Sequence, residues 1–143
     1  AMNLRSLNLE LHKEWKEYKL DDFIIFNPRE SLRKGEESKK IAMTHLKTFQ
    51  RKIDNYEIAP FTGGTKFKNG DTLLARITPC LENGKTAFVD ILNDGEIAFG
   101  STEYIVLREK EKISHSKFIY YLSINPNFRK IAIKSMTGTK LQN

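Results

Sequence analysis

The chain has 143 residues, 39% of them hydrophobic and 10% aromatic, which suits one folded domain with its own core. Its single cysteine, Cys80, excludes an internal disulfide framework, and its three histidines lack the spacing of a zinc finger or ribbon. No apolar run approaches the roughly 18 residues of a membrane span, and the polar N-terminus lacks a signal peptide's apolar segment. We therefore expect a cytoplasmic protein without membrane association.

The formal charge of +6 is unevenly distributed along the chain. Residues 29–52 hold 8 basic and 3 acidic side chains, and residues 112–143 hold 6 basic and no acidic ones. A segment without acids favours a polyanion such as nucleic acid. A solvated helix face, or a basic helix that docks an acidic protein, explains the same charge.

The first third of the chain predicts strands followed by an exposed basic loop. Residues 15–20 alternate between apolar and polar side chains, as half-buried strands do, and residues 23–26 are a short apolar run. Residues 27–28 (Asn-Pro) break this run, and residues 29–40 are too polar for a core. Thr44 is placed to cap a short helical turn.

The middle of the chain predicts a strand-rich sheet. Turn signals stand at Gly63-Gly64, Asn69-Gly70, Asn83-Gly84 and Asn93-Asp94-Gly95. The apolar runs between them predict strands over residues 72–77, 86–92, 97–99 and 104–107.

The end of the chain changes to a helical period. Ser114 or Ser116 can cap a first helix, and Asn125 followed by Pro126 begins a second. Four apolar side chains share one face of the second helix: Phe128, Ile131, Ala132 and Met136. Three basic side chains fall away from that face: Arg129, Lys130 and Lys134. We predict a single α+β domain, a twisted mixed β-sheet with helices packed at its C-terminal end.

Candidate catalytic residues have simple structural explanations. Cys80 would need a base and an oxyanion site to act as a nucleophile, and no histidine is placed beside it. The turn at residues 63–66 lacks the spacing of a phosphate-binding loop. Four carboxylates are the candidate metal ligands of a small magnesium-dependent nuclease: Asp71, Glu82, Asp90 and Glu103. That nuclease is the alternative function.

The polar side chains at the predicted strand ends and turns are of the types that hydrogen-bond base edges and phosphates in DNA. Candidates for base edges are Arg76, Thr78, Asn83, Ser101, Thr102 and Glu103. Candidates for phosphate contacts are Lys66, Lys68, Lys85 and Lys140. The same residues also allow a structural interpretation, in which Arg76 pairs with Glu103 and the Thr and Asn side chains stabilise turns.

Four stretches of the chain closely resemble one known family: WKEYKLDDFIIFNPRESLRKG (15–35), NGDTLLARITPCLENGKTAFVDIL (69–92), FGSTEYIVLREK (99–110) and FIYYLSINPNFRKIAIKSMTGT (118–139). The family is the target recognition domain in the specificity subunit of type I restriction-modification systems. The resemblance covers essentially the whole chain, and its ARITPCLENGK and GSTEYIVLR strings are long and specific.

The resemblance implies a non-catalytic module that recognises double-stranded DNA by sequence. In this family two such domains, separated by long helices, each read one half of a bipartite site. The helices bind methyltransferase subunits, which carry S-adenosylmethionine, and the assembly can recruit a restriction subunit. The chain would hold no cofactor or metal itself. Residues 1–143 would form one recognition domain that stops near the start of the first spacer helix.

The resemblance also places individual residues near DNA. Near the DNA face it puts Arg76, Thr78, Asn83, Lys85, Ser101, Thr102 and Glu103, and near the backbone Thr137, Thr139 and Lys140. Family members often continue from the Gly-Thr of MTGT into a Ser-Gly-Arg-rich stretch, whereas here Lys140 follows. If these shared strings build the scaffold, specificity resides in the loops at 29–52 and 62–68, including Lys66 and Lys68.

Overall fold

The computed structural model describes residues 24–47, 51–75, 85–110 and 116–130. Its strands are β1 (Ile24–Phe26), β2 (Glu37–Ile41), β3 (Glu57–Pro60), β4 (Thr65–Phe67), β5 (Thr72–Ala75), β6 (Thr86–Phe88), β7 (Ala98–Gly100) and β8 (Tyr104–Glu109). A 3₁₀ helix spans Met43–His45, α1 spans Ser116–Ser123, and the described part of a second helix, α2, is 126–130. The predicted α+β class is confirmed, and the strands divide into two sheets.

The central sheet has the order β1-β8-β5-β6, with every neighbouring pair antiparallel. Leu73 lies opposite Val106 and packs with it toward the second sheet, whereas Leu74 lies opposite Ile105 and packs toward the helices. Side chains alternate between the two faces of a strand, and both faces are covered here. This explains why β5 and β8 are continuous apolar runs.

The outer sheet has the order β3-β2-β7-β4, in which β2 and β7 are parallel and the other pairs are antiparallel. Ile41, Phe67 and Ala98 bury their side chains in the core shared with the central sheet. A side chain at Gly100 would meet the Ile41 carbonyl and the Tyr104 ring. The close approach of β7 to β2 therefore requires glycine.

The helices pack on the other face of the central sheet, where Ile119 and Leu122 of α1 join Leu74 and Phe128 in a second core. The Oδ1 of Asn125 accepts hydrogen bonds from the amides of Asn127 at 2.9 Å and Phe128 at 3.2 Å. These bonds cap α2, which confirms the predicted start of the second helix at Asn-Pro.

The prediction that Arg129 falls away from the packed face of α2 is wrong, because its residue exposure is only 7%. Arg129 lies one position, about 100° of helix rotation, from Phe128. A long arginine stem can pack beside an apolar neighbour at that angle. Burial lowers the pKa of the Arg129 guanidinium. Lys130 is exposed, as predicted.

The polar strands were not predicted. Residues 37–40 fall in the predicted loop, yet they form β2, which pairs with β3 on one side and β7 on the other. Strand β6 ends at Phe88 rather than at residue 92. The 3₁₀ helix has Ala42 rather than Thr44 as its N-cap, and the amide of Ala42 donates to Nδ1 of His45 at 2.9 Å.

Several predicted features lie outside the described residues, namely the strand at 15–20, the end of the strand at 76–77, and the part of the α2 face formed by Ile131, Ala132 and Met136. In the ranges that are described, no helix is long and apolar enough to cross a membrane.

A buried ion network joins the central sheet to the loop after β1. Arg108 donates from Nε and Nη2 to the two carboxylate oxygens of Asp71, each at 2.8 Å, and from Nη1 to Oε2 of Glu30 at 2.7 Å. The Asp71 side chain is only 1% exposed. Hydrogen bonding to Asp71, and then to Glu30, raises the pKa of Arg108, so the guanidinium stays charged.

Replacing Asp71 with Ala is expected to lower the free energy of unfolding by about 3 kcal/mol, because Arg108 would lose a buried bidentate partner. Urea denaturation followed by circular dichroism measures the change. Asp90→Ala, at an exposed position, is the matched control and should change stability by less than about 0.5 kcal/mol. Equal, small effects of the two substitutions would contradict the buried pairing of Asp71 with Arg108.

Candidate nucleic-acid interface

Three separate segments meet around a cavity of about 510 Å³, which we call the loop groove. It is lined by the segment after β1, the start of β4, and the turn between β7 and β8: Asn27, Pro28, Arg29, Glu30, Ser31, Gly64, Thr65, Lys66, Thr102 and Tyr104. The groove therefore lies where ends of four strands come together. Loops held on a rigid scaffold in this way commonly carry binding residues.

The first wall, residues 27–31, is fixed at two points. Asn27 has a φ of +47°, and its amide donates to the Val106 carbonyl at 2.7 Å while its Oδ1 accepts from the Val106 amide at 2.8 Å. Asparagine tolerates this left-handed conformation better than most residues, so the chain turns sharply away from β1. Further along, Glu30 is held by Arg108. Both attachments lie on β8, which therefore positions this wall.

The second wall depends on Gly64. Its φ is +121°, and an added Cβ would meet the carbonyl of Gly100, so only glycine allows β4 to begin beside the end of β7. Lys66 follows in β4, and its Nζ lies 5.1 Å from the ring centroid of Phe61. Phe61 packs edge-to-face on Phe99 with 5.2 Å between centroids. The aromatic contact holds the lysine stem at the groove.

The third wall is the turn at residues 101–104. The Oγ of Ser101 accepts from the Glu103 amide at 3.0 Å, and the Ser101 carbonyl accepts from the Tyr104 amide at 3.2 Å. The hydroxyl of Ser101 thus stabilises the turn. Thr102, at the tip, is exposed and lines the groove.

The groove offers cations and hydroxyl groups together. The charge of Glu30 is compensated by Arg108, whereas Arg29 and Lys66 form no salt bridge within the described ranges. Hydroxyl groups come from Ser31 and from threonines 65 and 102. The cations can bind phosphate groups, and the neighbouring hydroxyl groups can donate and accept hydrogen bonds. This combination suits a nucleic acid, which presents phosphates together with hydrogen-bonding base edges.

The structure separates the candidate residues into groups. Lys66 and Thr102 line the loop groove, and Ser101 and Glu103 flank Thr102 in the same turn. Lys68 is exposed at the far end of β4, outside the groove.

Lys85 also lies outside the groove. Its carbonyl accepts from the Ala75 amide, and its Nζ is 3.5 Å from the Met43 carbonyl. Six candidates fall outside the described residues: Arg76, Thr78, Asn83, Thr137, Thr139 and Lys140.

Sequence reasoning did not single out three contributors to the groove. Arg29 and Ser31 belong to the predicted basic loop, but no sequence signal marks either of them individually as a site residue. Phe61, which supports Lys66, is not among the predicted site residues. One available signal was the break at residues 27–28 directly after a short apolar strand, which marks where the chain leaves the sheet. Another was an aromatic residue two positions before a Gly-Gly turn.

The structure gives no support to a carboxylate metal centre. Asp71 uses both oxygens on Arg108, and one of them also accepts from the Lys68 amide at 2.9 Å. Asp90 is exposed, and Glu82 is outside the described residues. Within the part of the chain that is described, no three His, Cys, Asp or Glu side chains are grouped to hold a metal ion.

Replacing Glu30 with Gln tests the anchoring of the first wall. The variant keeps the side-chain shape but removes the negative charge, so the bond from Arg108 loses its charge assistance while the bidentate pair with Asp71 remains. We expect NMR backbone order parameters of residues 29–31 to fall from about 0.85 toward about 0.6, while those of β5 stay rigid. Glu37→Gln, at an exposed position of β2, is the control. Unchanged order parameters at 29–31 would contradict the anchoring role.

Comparison with known proteins gives related specificity subunits and no matching family model. The chain is 31% identical over 137 residues to the type I restriction enzyme EcoAI specificity subunit of Escherichia coli. It is 28% identical over 140 residues to the type I restriction enzyme EcoEI specificity subunit of the same organism. Each alignment covers 91% of this chain and 23% of the relative, so the chain spans under a quarter of their length.

A solved structure shares the fold. It comes from work on complex assembly and conformational transition of the type I restriction-modification system. The TM-score is 0.59 with 14% sequence identity, over 87% of this chain and 35% of the other. At that identity the likeness concerns the fold alone.

Proposed function

From its homology to type I restriction enzyme specificity subunits over 91% of its length, we propose that the chain is a DNA target recognition domain. In this role it recognises double-stranded DNA by sequence, reads one half of a bipartite target and catalyses no reaction. The structural observation that supports this assignment is the loop groove, where Arg29 of the loop after β1, Lys66 of β4 and the exposed Thr102 of the turn after β7 lie together.

The chemistry of the groove fits both parts of DNA recognition. Phosphate contacts position a protein on the duplex, and lysine or arginine supplies them. Hydroxyl groups and guanidinium groups hydrogen-bond base edges, and arginine reads guanine with two bonds. Arg29, Ser31 and Thr102 are the exposed residues of these types at the groove. Arg76, Thr78 and Asn83 remain predictions for base contacts.

The proposed partners follow from the same homology. The related proteins are subunits of type I restriction enzymes, and the similar fold comes from an assembled type I system. We expect the domain to work with methyltransferase subunits, which would carry S-adenosylmethionine, and with a restriction subunit. We expect it to hold no cofactor itself and to act in the cytoplasm, where the DNA substrate is.

Salt dependence of duplex binding tests the proposed function. If about five phosphates are contacted, the logarithm of the association constant should fall with the logarithm of salt concentration at a slope of about −4 to −5. Fluorescence anisotropy with a labelled duplex measures this slope between about 50 and 200 mM salt. A flat response would contradict DNA binding.

A matched pair of variants locates the contact. Arg29→Ala should weaken binding several-fold, whereas Lys117→Ala, at an exposed position of α1 on the helical face of the central sheet, should not. Equal losses would contradict the assignment of the groove.

Plasmid nicking by the isolated chain with magnesium would support the nuclease alternative, and capture of a methyltransferase subunit without DNA binding would support a protein-docking role.

A further inference from the structure

We propose that the outward face of the outer sheet binds the sugar–phosphate backbone of duplex DNA through two lysines, Lys40 and Lys66, which lie in one row on either side of Phe99. We call this the lysine row. The inference rests on the proposed function and extends it from the loop groove to a surface with a different task. Its ligand is the phosphodiester backbone, irrespective of base sequence.

Strand register places the three residues side by side. In the parallel pair of β2 and β7, Lys40 lies opposite Phe99, and in the antiparallel pair of β7 and β4, Lys66 lies opposite Phe99. Residues directly opposite each other in neighbouring strands share one face of the sheet. The two lysine backbones are therefore about 10 Å apart, two strand spacings.

The row faces away from the core. Ile41, Ala98 and Phe67 are the chain neighbours of the three row residues, and all three are buried between the two sheets. Because side chains alternate along a strand, the row residues point to the opposite, outward face. That face is the one on which Phe61 covers Phe99, which is only 2% exposed.

The aromatic residues prepare Lys66 for binding. Its Nζ lies 5.1 Å from the Phe61 centroid, which orders the stem, and Lys66 as a residue is half-buried. An ordered side chain loses less conformational entropy when it binds a phosphate. Lys66 also lines the loop groove, so the row continues the groove across the sheet.

Lys40 is held only weakly. Its Nζ is 3.7 Å from Oε1 of Glu57, and both side chains are well exposed, at 40% and 54%. Exposed pairs of this kind contribute little and are screened by salt, so a phosphate can replace the carboxylate.

A neighbouring turn brings two further cations to the same region. The Gly35 amide donates to the Phe61 carbonyl at 2.7 Å, and the Phe61 amide donates to the Glu36 carbonyl at 2.8 Å. These bonds hold the turn that carries the exposed Arg33 and Lys34 against the backbone of Phe61, the aromatic residue that supports Lys66. Because Glu36 and Glu37 follow in the same segment, Arg33 and Lys34 supply individual phosphate contacts rather than a net positive charge.

The next lysine in the chain provides an internal contrast. Lys39 alternates to the other face of β2, where its Nζ lies 2.9 Å from Oε1 of Glu96 and 5.2 Å from the Tyr56 centroid. Lys39 and Lys40 therefore project from opposite faces of β2, and of the two only Lys40 lies on the outward face.

Substitution of each lysine by Gln tests the row with the full chain and a labelled duplex of mixed sequence. Lys40→Gln and Lys66→Gln should each reduce the magnitude of the salt slope by about 1, and the double variant by about 2. Lys40→Arg should retain the slope of the parent chain. Lys39→Gln, and Lys117→Gln at an exposed position of α1, are controls of equal charge change and should leave the slope unaltered.

The outcomes separate the two claims. If Lys40→Gln keeps the parent slope, or if Lys117→Gln reduces it equally, the lysine row is overturned while recognition at the loop groove stands. If the parent chain itself shows no salt-dependent binding, the proposed function fails and the row fails with it. Thermal melting of each variant confirms that the domain is folded, and Lys117→Gln serves as the reference if Lys39→Gln lowers stability.

Discussion

The guanidinium of Arg108 connects the scaffold to the proposed DNA-binding surface. It leaves the central strand β8, forms two bonds with buried Asp71, and reaches Glu30 in the loop after β1. A buried ion pair adds little net stability compared with an apolar core of the same volume. Here the ion pair fixes the position of a mostly polar loop, residues 27–31, relative to the central sheet.

The layered fold explains why the loops converge. Strand β8 contributes Tyr104 and Val106 to the core with the outer sheet, and Ile105 and Leu107 to the core with the helices. Both faces of the central sheet are therefore committed to packing, and polar recognition groups are left to strand ends and to the outward face of the outer sheet. The loop groove occupies the strand ends, and the lysine row occupies that face.

Features encoded by short sequence patterns were predicted well. Strands β5 and β8 are apolar runs that are buried on both faces, and Asn125 with Pro126 specifies the start of α2 through local hydrogen bonds. Strand β2 was missed because its polar residues form a strand only when neighbours supply the pairing. Strand β3 was missed because it is a four-residue edge strand that ends in a proline. Tertiary pairing overrides local preference in such cases.

The site was predicted in part for the same reason. Residue type identified Lys66 and Thr102, and charge identified the loop that contains Arg29. Their assembly into one groove depends on contacts between residues far apart in the chain, such as Arg108 with Glu30, separated by 78 positions. The sequence pattern suggested a pairing of Arg76 with Glu103, and no local signal distinguishes that pair from the one between Arg108 and Asp71.

The central claim is that duplex DNA binds at the loop groove, and an NMR titration of the isotope-labelled chain with duplex DNA tests it directly. The account predicts that the amide signals of residues 29–31, 64–66 and 102 shift most, and that signals of α1, on the far side of the central sheet, stay in place. Shifts concentrated on α1, with the groove signals unmoved, would contradict it.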